Sequence, residues 1–578
     1  MKKTAMTLIS AMLAASLLLS ACSKDASAPT ASQAPSAPSS TTPSAPASAD
    51  AGKKESANAA KVNPPGKFPI VNDKITLKVF IAGNALVENF DTNGYTKWLE
   101  DKTNIHVKWI VADVKNYKDQ LNLALASGDL PDVIMNAGVS PEQQMIYGDQ
   151  GTFVSFTDLI DKYGDLTKKI FQEMPEARDA VTAPGNKIYS LPYINDCYHC
   201  SLDYKMYVFK PWLDKLGLKE PTTTEEFYEM LKAFKEKDPN GNGKADEIPL
   251  VGGISASGPS KSAIDVFLMN SFIYDDGDKR MLVKDGKIDV VYNKPEWKEG
   301  LKYLNRLYKD GLLSKESFTL DKDGLKKIAE NPDIAIGGAI PAHSPSDITI
   351  VEGKSNRWLD YQPIAPVKGP SGYQKSTWLA YDKIRGGHFI MTSANKYPEA
   401  TMRWADAMYD FEANLYSNFG VKGSSWEPAK QGDLGRDGNP ATYRLLIPFG
   451  RVQNESWAQF GLNYRTDKDW YAGQAVLKQP DKEKMYYDIT KKNYEPYKPK
   501  LEEVVPPLFF PTSESQQLAE LDKTINDYFK SMTARFIIGD ADIEKEWNNY
   551  VGTLEKMNLK RYLEIYQKAL DAKKTVKK

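Results

Sequence analysis

The sequence predicts an α/β fold, and three observations point to that class. Strand-like and helix-like patterns alternate after Pro69, with five such elements in about 60 residues. This alternation implies a parallel sheet with helices packed on its faces. The length of 578 residues exceeds one ordinary domain and predicts two large domains or one big enzyme. Amphipathic segments dominate the end of the chain and predict a helix-rich C-terminal region.

The first alternating unit defines an expected ligand edge. Leu77, Val79 and Ile81 fall on one face of its first strand. Ligands of parallel sheets bind beyond the carboxyl ends of the strands, so Asn84 and Asn136 are candidate ligand contacts. The predicted elements are strand 75–81, a loop and helix over 84–104, strand 105–111, helix 117–127 and strand 132–135.

Two local signals predict helices in the middle of the chain. Pro211 at a first-turn position and Gly217 beyond the end predict a short helix between them. Thr223 and Glu226 form a capping box at the start of a longer helix. The other predicted elements are strands at 188–193, 206–209, 333–336 and 387–392, and helices near 398–409, 514–538 and 544–569.

The N-terminal residues predict export and anchoring. Two lysines, an apolar run and small residues make 1–21 a predicted signal peptide. Leu-Ser-Ala-Cys resembles the lipobox of bacterial lipoproteins and predicts lipidation of Cys22; the alternative is an ordinary cleavage site with an incidental cysteine. Ser, Ala, Pro and Thr dominate 22–66, which predicts a disordered tether. We therefore expect a lipid-anchored protein at the extracytoplasmic face of the cell membrane.

Composition argues against several function classes. The net charge of -1 provides no overall positive field for nucleic acid or an anionic membrane. A mean hydropathy of -0.50 excludes a polytopic membrane protein. Three cysteines cannot build a disulfide framework, and four histidines argue against a large histidine-based metal centre.

The clearest local motif is a calcium-type loop that begins at Asp238. Oxygen-bearing side chains occupy positions 1, 3, 5 and 9, and Gly243 occupies position 6, as in an EF-hand loop. Position 12 is Pro249 instead of the usual glutamate, and Glu247 at position 10 could replace that carboxylate. The alternative is a polar turn without metal. The predicted ligands of a structural Ca²⁺ are Asp238, Asn240, Asn242, the carbonyl of Lys244, Asp246 and Glu247.

Other motifs give weaker indications of chemistry. Cys197 and Cys200 form a C-x-x-C pair, but the polar sequence around them does not open a helix after a strand. The pair could form a local disulfide or remain reduced. Ser393 to Lys396 matches S-x-x-K without the accompanying motifs of that enzyme class. No catalytic residues are therefore assigned, although the abundant carboxylates leave a glycosidase pair open.

The chain resembles the large extracellular solute-binding lipoproteins of bacterial ABC importers, family 1, of the LipO type. It is especially similar to alginate-oligosaccharide-binding proteins, and the resemblance spans nearly all of 68–572. Besides the calcium-type loop, the segments that carry it are Ala126–Val133, Ile188–Tyr193, Trp212–Gly217, Leu231–Lys237, Asn418–Val421 and Tyr566–Ala569.

This resemblance implies a two-lobe periplasmic-binding-protein-like fold with a hinge and sugar in the interlobe cleft. The implied N-terminal lobe comprises 67–196 and 341–395, and the C-terminal lobe comprises 197–340 and 396–578. The family's calcium ligands match all six predicted positions. Alginate binders have a basic and aromatic segment where this chain has Ala82–Ala85, so a neutral or differently charged oligosaccharide is also expected as a ligand.

The expected function is a binding receptor that binds and releases its ligand without catalysis. Asn195 and Asp196 lie in the first predicted crossing between lobes, and amides or carboxylates there suit sugar hydroxyls. Trp378 and Trp426 are candidate stacking platforms, with core packing as the alternative. The expected partners are an oligosaccharide and a membrane permease, and the protein is expected to be a monomer. A peptide receptor and a secreted carbohydrate-active enzyme are the alternatives.

Overall fold

The computed structural model describes residues 61–254, 261–447 and 451–576. The predicted signal peptide, Cys22 and all but the last residues of the tether lie outside this part of the chain. The strands are β1 Ile75–Ala82, β2 Ile105–Ala112, β3 Val133–Met135, β4 Thr182–Ala183, β5 Lys187–Ile188, β6 Ser190–Asn195, β7 Lys205–Phe209, β8 Ile248–Leu250, β9 Met281–Lys284, β10 Lys287–Val290, β11 Gly337–Ala342, β12 Tyr361–Ile364, β13 Ile384–Met391, β14 Trp426–Pro428, β15 Tyr443–Leu445 and β16 Tyr464–Arg465.

The α-helices cover both sheets and form most of the C-terminal region. They are α1 Gly94–Thr103, α2 Tyr117–Ser127, α3 Pro141–Asp149, α4 Thr157–Tyr163, α5 Asp165–Glu173, α6 Pro175–Val181, α7 Lys210–Leu216, α8 Thr224–Glu236, α9 Ile264–Met269, α10 Pro295–Lys309, α11 Lys322–Ala329, α12 Pro345–Ile348, α13 Arg357–Asp360, α14 Pro398–Ala407, α15 Phe411–Phe419, α16 Lys482–Asn493, α17 Thr512–Ile538, α18 Ile543–Lys556 and α19 Leu559–Val576. In the described part of the chain, none of these helices combines the length and apolar character needed to cross a bilayer.

Two sheets organise the molecule, as expected for a two-lobe α/β fold. The first has the strand order β16-β6-β13-β3-β1-β2, and the second has the order β12-β7-β11-β8. In the first sheet, β1 pairs in parallel with both β2 and β3, while β13 runs antiparallel to β3 and β6. Separate hydrophobic cores accompany the two sheets, so each lobe buries its own apolar side chains.

Local signals predicted several elements correctly. The side chain of Thr223 accepts a hydrogen bond from the backbone N–H of Glu226, whose carboxylate accepts one from the N–H of Thr223. This capping box begins α8 as predicted. Gly217 ends α7 in the left-handed conformation, with φ of 66°, which glycine adopts without steric cost.

Two predicted elements differ from the structure. The strand expected at 333–336 lies instead at 337–342, as β11. The sequence pattern did not predict β11 because glycine is a poor strand former. Close packing explains Gly338, since a Cβ there would approach the Phe234 ring to 2.7 Å. The helix expected near 544–569 is two helices, α18 and α19, separated at Asn558, which has a φ of 61°.

The division between the two sheets differs from the predicted lobe boundaries. Strand β12 pairs with β7, so the chain around 361–364 packs with the second sheet and not with the N-terminal lobe. Helix α14 contributes Met402 and Trp404 to the first core, and β16 pairs with β6 of the first sheet. Strand pairing between distant segments decides which lobe each segment joins. The local sequence pattern contains no information about that pairing.

Candidate functional site

Five strands of the first sheet end at one common edge. Strands β1, β2, β3, β6 and β16 run in the same direction, and only β13 opposes them. Their carboxyl ends therefore face the same side, where ligands of α/β sheets bind. We call this the ligand edge. It contains Ala82, Met135, Asn195 and Arg465 at the ends of four of these strands.

The structure brings Asn84 and Asn136 to the ligand edge, but it gives both amides a structural role. The Asn84 Nδ2 atom donates to the backbone oxygen of Ala458 at 3.3 Å. The Asn136 Oδ1 atom accepts from the N–H of Gly461 at 3.1 Å. Both side chains therefore hold the loop 456–461 against the sheet, although each residue remains partly exposed. The sequence analysis missed this loop because its partners are more than 300 residues away.

Asn195 and Asp196 follow β6 at the first crossing between the sheets. Asn195 lines a cavity of about 350 Å³ whose other walls include Asp203, His343 and Asp347 from the second sheet's side. The backbone N–H of Asp196 donates to the carbonyl of Arg465 at 2.7 Å, which fixes the turn beyond the strand. The prediction thus identified a position where elements of both lobes meet.

Charged side chains around this cavity are largely paired with one another. Asp203 contacts His343, Arg385 contacts Asp382 at 3.0 Å, and Lys383 lies 3.3 Å from Glu176. Burial by itself would raise the pKa of Asp203, but the hydrogen bond with His343 and the nearby cations lower it overall. These pairs leave the cavity with a polar and nearly charge-balanced lining, which suits a ligand rich in hydroxyl groups.

The two predicted tryptophan platforms differ in accessibility. Trp378 is half-buried against the second core, with the ammonium of Lys498 4.8 Å from its ring centre. It does not pack with the N-terminal lobe, to which the sequence analysis assigned it. Trp426 is only 3% exposed, and its indole N–H donates to the carbonyl of Gly420 at 3.0 Å. Trp426 therefore packs as a core residue in this structure, and its role as a ligand contact stays a prediction.

Cys197 and Cys200 form a disulfide in the first crossing. The intervening His199 is buried and lies 3.1 Å from the Glu483 carboxylate, which is in the first turn of α16. The two cysteines and His199 are the only close group of histidine, cysteine and acidic ligand atoms among the described residues. The disulfide engages both sulfur atoms, so this group does not provide a zinc site.

The calcium-type loop lies between α8 and β8, on the second sheet. One carboxylate oxygen of Asp238 accepts from the N–H of Gly241 at 2.9 Å, and the other accepts from Gly243 at 3.0 Å. Asn240 and Asn242 donate their amide groups to Asp246 at 2.7 and 2.9 Å. Glu247 accepts from the N–H of Asn240 at 3.4 Å, which links it to the same network.

The electrostatics of this loop favour a bound cation. The N–H of Gly243, more than any other group, holds the pKa of Asp238 below its usual value, and the Asn240 amide does the same for Asp246. Both carboxylates therefore remain ionised at neutral pH. Carboxylate, amide and carbonyl oxygens are the ligands that Ca²⁺ prefers. The donor set fits this ion, since rotation of the two amides would turn their oxygens toward the carboxylates.

Arg465 and Tyr471 belong to the ligand edge but escaped the sequence analysis. Arg465 ends β16, a strand of two residues, and Tyr471 lies in the helical turn that follows. Such a short strand has no hydrophobic alternation from which it could be recognised. Only its pairing with β6 shows that these side chains accompany Asn195.

Two α/β lobes with a polar cavity between them are typical of solute-binding proteins. The family described as "Bacterial extracellular solute-binding protein" matches residues 81–414, more than half of the chain. This chain belongs to that family of extracellular, non-catalytic receptors, which confirms the resemblance, the fold class and the absence of an enzyme assignment.

Two curated proteins and one solved structure are similar to this chain. The fructooligosaccharide ABC transporter substrate-binding protein FusA of Streptococcus pneumoniae is 33% identical over 525 residues, which cover 87% of this chain and 91% of FusA. Lipoprotein LipO of Bacillus subtilis is 25% identical over 58% of this chain and 64% of LipO. A solved structure of an EF-hand mutant of S. pneumoniae FusA with fructo-nystose has a TM-score of 0.72 and 28% identity, and covers 86% of this chain and 99% of that structure.

Proposed function

We propose that this protein is the receptor of an ABC importer and delivers an oligosaccharide to the membrane permease. The similarity to a fructooligosaccharide receptor along most of both chains is the observation that carries this proposal. Fructo-oligosaccharides such as kestose are therefore the first ligands to test. The polar, charge-balanced cavity between the two sheets supports a neutral sugar. Ligand binding closes the lobes, and the closed form docks on the permease.

Binding is tested by thermal shift and calorimetry of the purified protein. The probes are kestose, nystose, trigalacturonate, an alginate trisaccharide and a tripeptide. A ligand that binds only the native state raises the unfolding midpoint, and we expect this for kestose and nystose. Binding of the tripeptide alone would contradict the proposal. Chromatography after long incubation should return each sugar unchanged, whereas hydrolysis products would favour the enzyme alternative.

The proposal includes one structural Ca²⁺ held by the loop 238–247. The ligands would be the side chains of Asp238, Asn240, Asn242, Asp246 and Glu247 and the carbonyl of Lys244. The network of hydrogen bonds among these side chains supports this assignment, as does the description of a mutated EF-hand in FusA. Metal analysis of protein purified without chelator should find one calcium per chain. A chain without calcium would contradict the assignment.

We also propose that a lipid on Cys22 anchors the receptor, with 22–66 as the tether. The lipobox-like sequence supports this, together with similarity to a protein named as a lipoprotein. Cys22→Ala should move the protein from the membrane fraction to the medium, because the acyl chains provide the anchoring free energy. Wild-type protein found only in the medium would contradict the anchor without affecting the receptor assignment.

A further inference from the structure

The register of β16 on β6 aligns two polar side chains at the ligand edge. Arg465 pairs with Asn195, and the preceding residue, Tyr464, pairs with Ile194. Successive side chains of a strand point to opposite faces. Ile194 belongs to the first hydrophobic core, so Arg465 and Asn195 share the other face at the ligand edge. Asn195 lines the cavity between the two sheets, and the Arg465 side chain leaves the neighbouring strand on the same face of the sheet.

The guanidinium of Arg465 is buried with most of its hydrogen-bonding capacity unused. The residue is 4% exposed, and its Nη2 atom donates to the hydroxyl of Tyr471 at 3.1 Å. Among the described residues, its buried Nε and Nη1 atoms have no hydrogen-bond partner. Within the described residues, no ion pair joins Arg465 to a carboxylate. Buried charges in folded proteins are normally paired, so this side chain requires another explanation.

The nearby Arg436 shows what a structural arginine looks like in the same region. Arg436 is also 4% exposed, but its Nε atom lies 3.3 Å from the carboxylate of Asp481. Its Nη1 atom donates to the carbonyl of Tyr471 at 3.1 Å. The two arginines are equally buried. Protein groups provide hydrogen-bond and ion-pair partners for the Arg436 guanidinium, but they leave two nitrogen atoms of the Arg465 guanidinium without partners.

Aromatic rings hold the Arg465 guanidinium in place. Its central carbon lies 4.5 Å from the ring centre of Trp470 and 5.2 Å from that of Tyr471. The Tyr471 hydroxyl also lies 3.5 Å from the Asn195 Oδ1 atom, so it connects the guanidinium to the cavity wall. A ligand oxygen near this hydroxyl would be within reach of both Arg465 and Asn195.

We propose that Arg465 is a ligand-binding residue that hydrogen-bonds two adjacent oxygens of a neutral sugar, a vicinal hydroxyl pair. A guanidinium presents parallel N–H groups that match two neighbouring oxygens. Such a pair occurs in a vicinal diol and in a uronate carboxylate. The diol is favoured because carboxylates lie near this position and would repel a uronate: Asp196 acts on the Asp467 carboxyl, and Glu483 acts on the Tyr471 hydroxyl to which Arg465 donates. This inference rests on the proposed sugar-receptor function.

The test measures kestose and trigalacturonate binding by calorimetry for the wild-type protein and three variants. Arg465→Lys retains the charge but loses the parallel N–H donors of the guanidinium, and Arg465→Gln removes the charge. Both should lower kestose affinity by about 30-fold or more, since a buried site designed for hydroxyls discriminates strongly. Their unfolding midpoints without ligand should equal or exceed that of the wild type, because an unpaired buried charge is removed or made more adaptable.

Arg436→Lys is the matched control. It should lower the unfolding midpoint, because it disturbs a satisfied buried ion pair, and change kestose affinity by less than about 3-fold. Kestose affinity of both Arg465 variants within about 3-fold of the wild type would overturn the proposal. Wild-type binding of trigalacturonate and not kestose would overturn the assignment to neutral sugars. Absence of any sugar binding by the wild type would instead contradict the proposed function itself, so the two failures are distinguishable.

Discussion

The calcium-type loop and the ligand edge are both polar sites, yet they are assembled in different ways. The loop takes its donors from ten consecutive residues, 238–247, which hydrogen-bond to one another. The ligand edge takes its groups from four strand ends, and Asn136 and Gly461 contact each other across 325 positions. A site of the first kind can be recognised from residue spacing. A site of the second kind depends on strand pairing. The local sequence does not distinguish its residues from residues of the hydrophobic core.

The strongest test of this difference concerns Trp426, which the sequence predicts as a candidate stacking platform for sugar. It packs with Leu415, Tyr443 and Trp470 in a small core cluster. Trp426→Ala should lower the free energy of unfolding by about 3–5 kcal/mol through loss of buried apolar area and creation of a cavity. Chemical denaturation would measure this loss.

Trp378→Ala provides the contrast, because its ring is only half-buried. It should cost less stability and weaken sugar binding by about 1–3 kcal/mol, which calorimetry would detect. If Trp426→Ala weakens binding while leaving stability intact, its assignment to the core is wrong.

The second prediction tests how closely β13 must approach the ligand edge. Gly387 has a φ of 71°, and an added Cβ would overlap the carbonyl oxygen of Val139. Gly387→Ala should therefore lower the free energy of unfolding by about 2–4 kcal/mol, from backbone strain and displacement of the loop after β3. Gly372 is the matched control, with a φ of 85° and open space around the position of a Cβ. Gly372→Ala should cost about 1 kcal/mol. Equal losses would show that the contact with Val139 is unimportant.

The third prediction separates the calcium-type loop from the ligand edge. Chelation should lower the thermal midpoint of the wild type by roughly 2–5 °C, because the ion binds only the folded loop. Asp238→Ala removes the carboxylate that accepts from Gly241 and Gly243, and its midpoint should no longer respond to chelator. Kestose affinity measured in excess calcium should remain unchanged in this variant. A coupled loss of affinity would show that the two sites are not independent.

The smallest predicted effect is the pH dependence of stability due to His388 in β13. Burial lowers its pKa to about 4, and the charge of Arg385 adds to this effect. In the unfolded chain a histidine titrates near pH 6.5. Its neutral form therefore supports the fold above that value, and stability decreases as the pH falls from about 6.5 toward 4. Relative to His388→Gln, the wild type should lose about 1–2 kcal/mol over this range, measured by denaturation at several pH values. Parallel pH profiles would contradict the effect.

Local sequence determined much of this protein. Three features illustrate this: the capping box of α8, the glycine that ends α7 and the donor spacing of the loop 238–247. In each, the interacting residues lie within about one loop or helical turn of each other, so their spacing in the sequence reveals the interaction. The strands of the first α/β unit followed from their apolar patterns, since burial on a sheet imposes a period of two. Fold class and the presence of two cores follow from such local signals.

Only the tertiary structure decided which lobe each returning segment joins and which polar groups form the ligand edge. Strand β12 joins the second sheet, and β16 returns to the first after more than 260 intervening residues. Neither pairing changes the local pattern of these short strands. Other contacts between distant segments bury Trp426 and give Asn84 and Asn136 structural partners. The pairing of β16 with β6 aligns Arg465 with Asn195. These properties depend on what surrounds a side chain in space, because burial and pairing are set by contacts between distant parts of the chain.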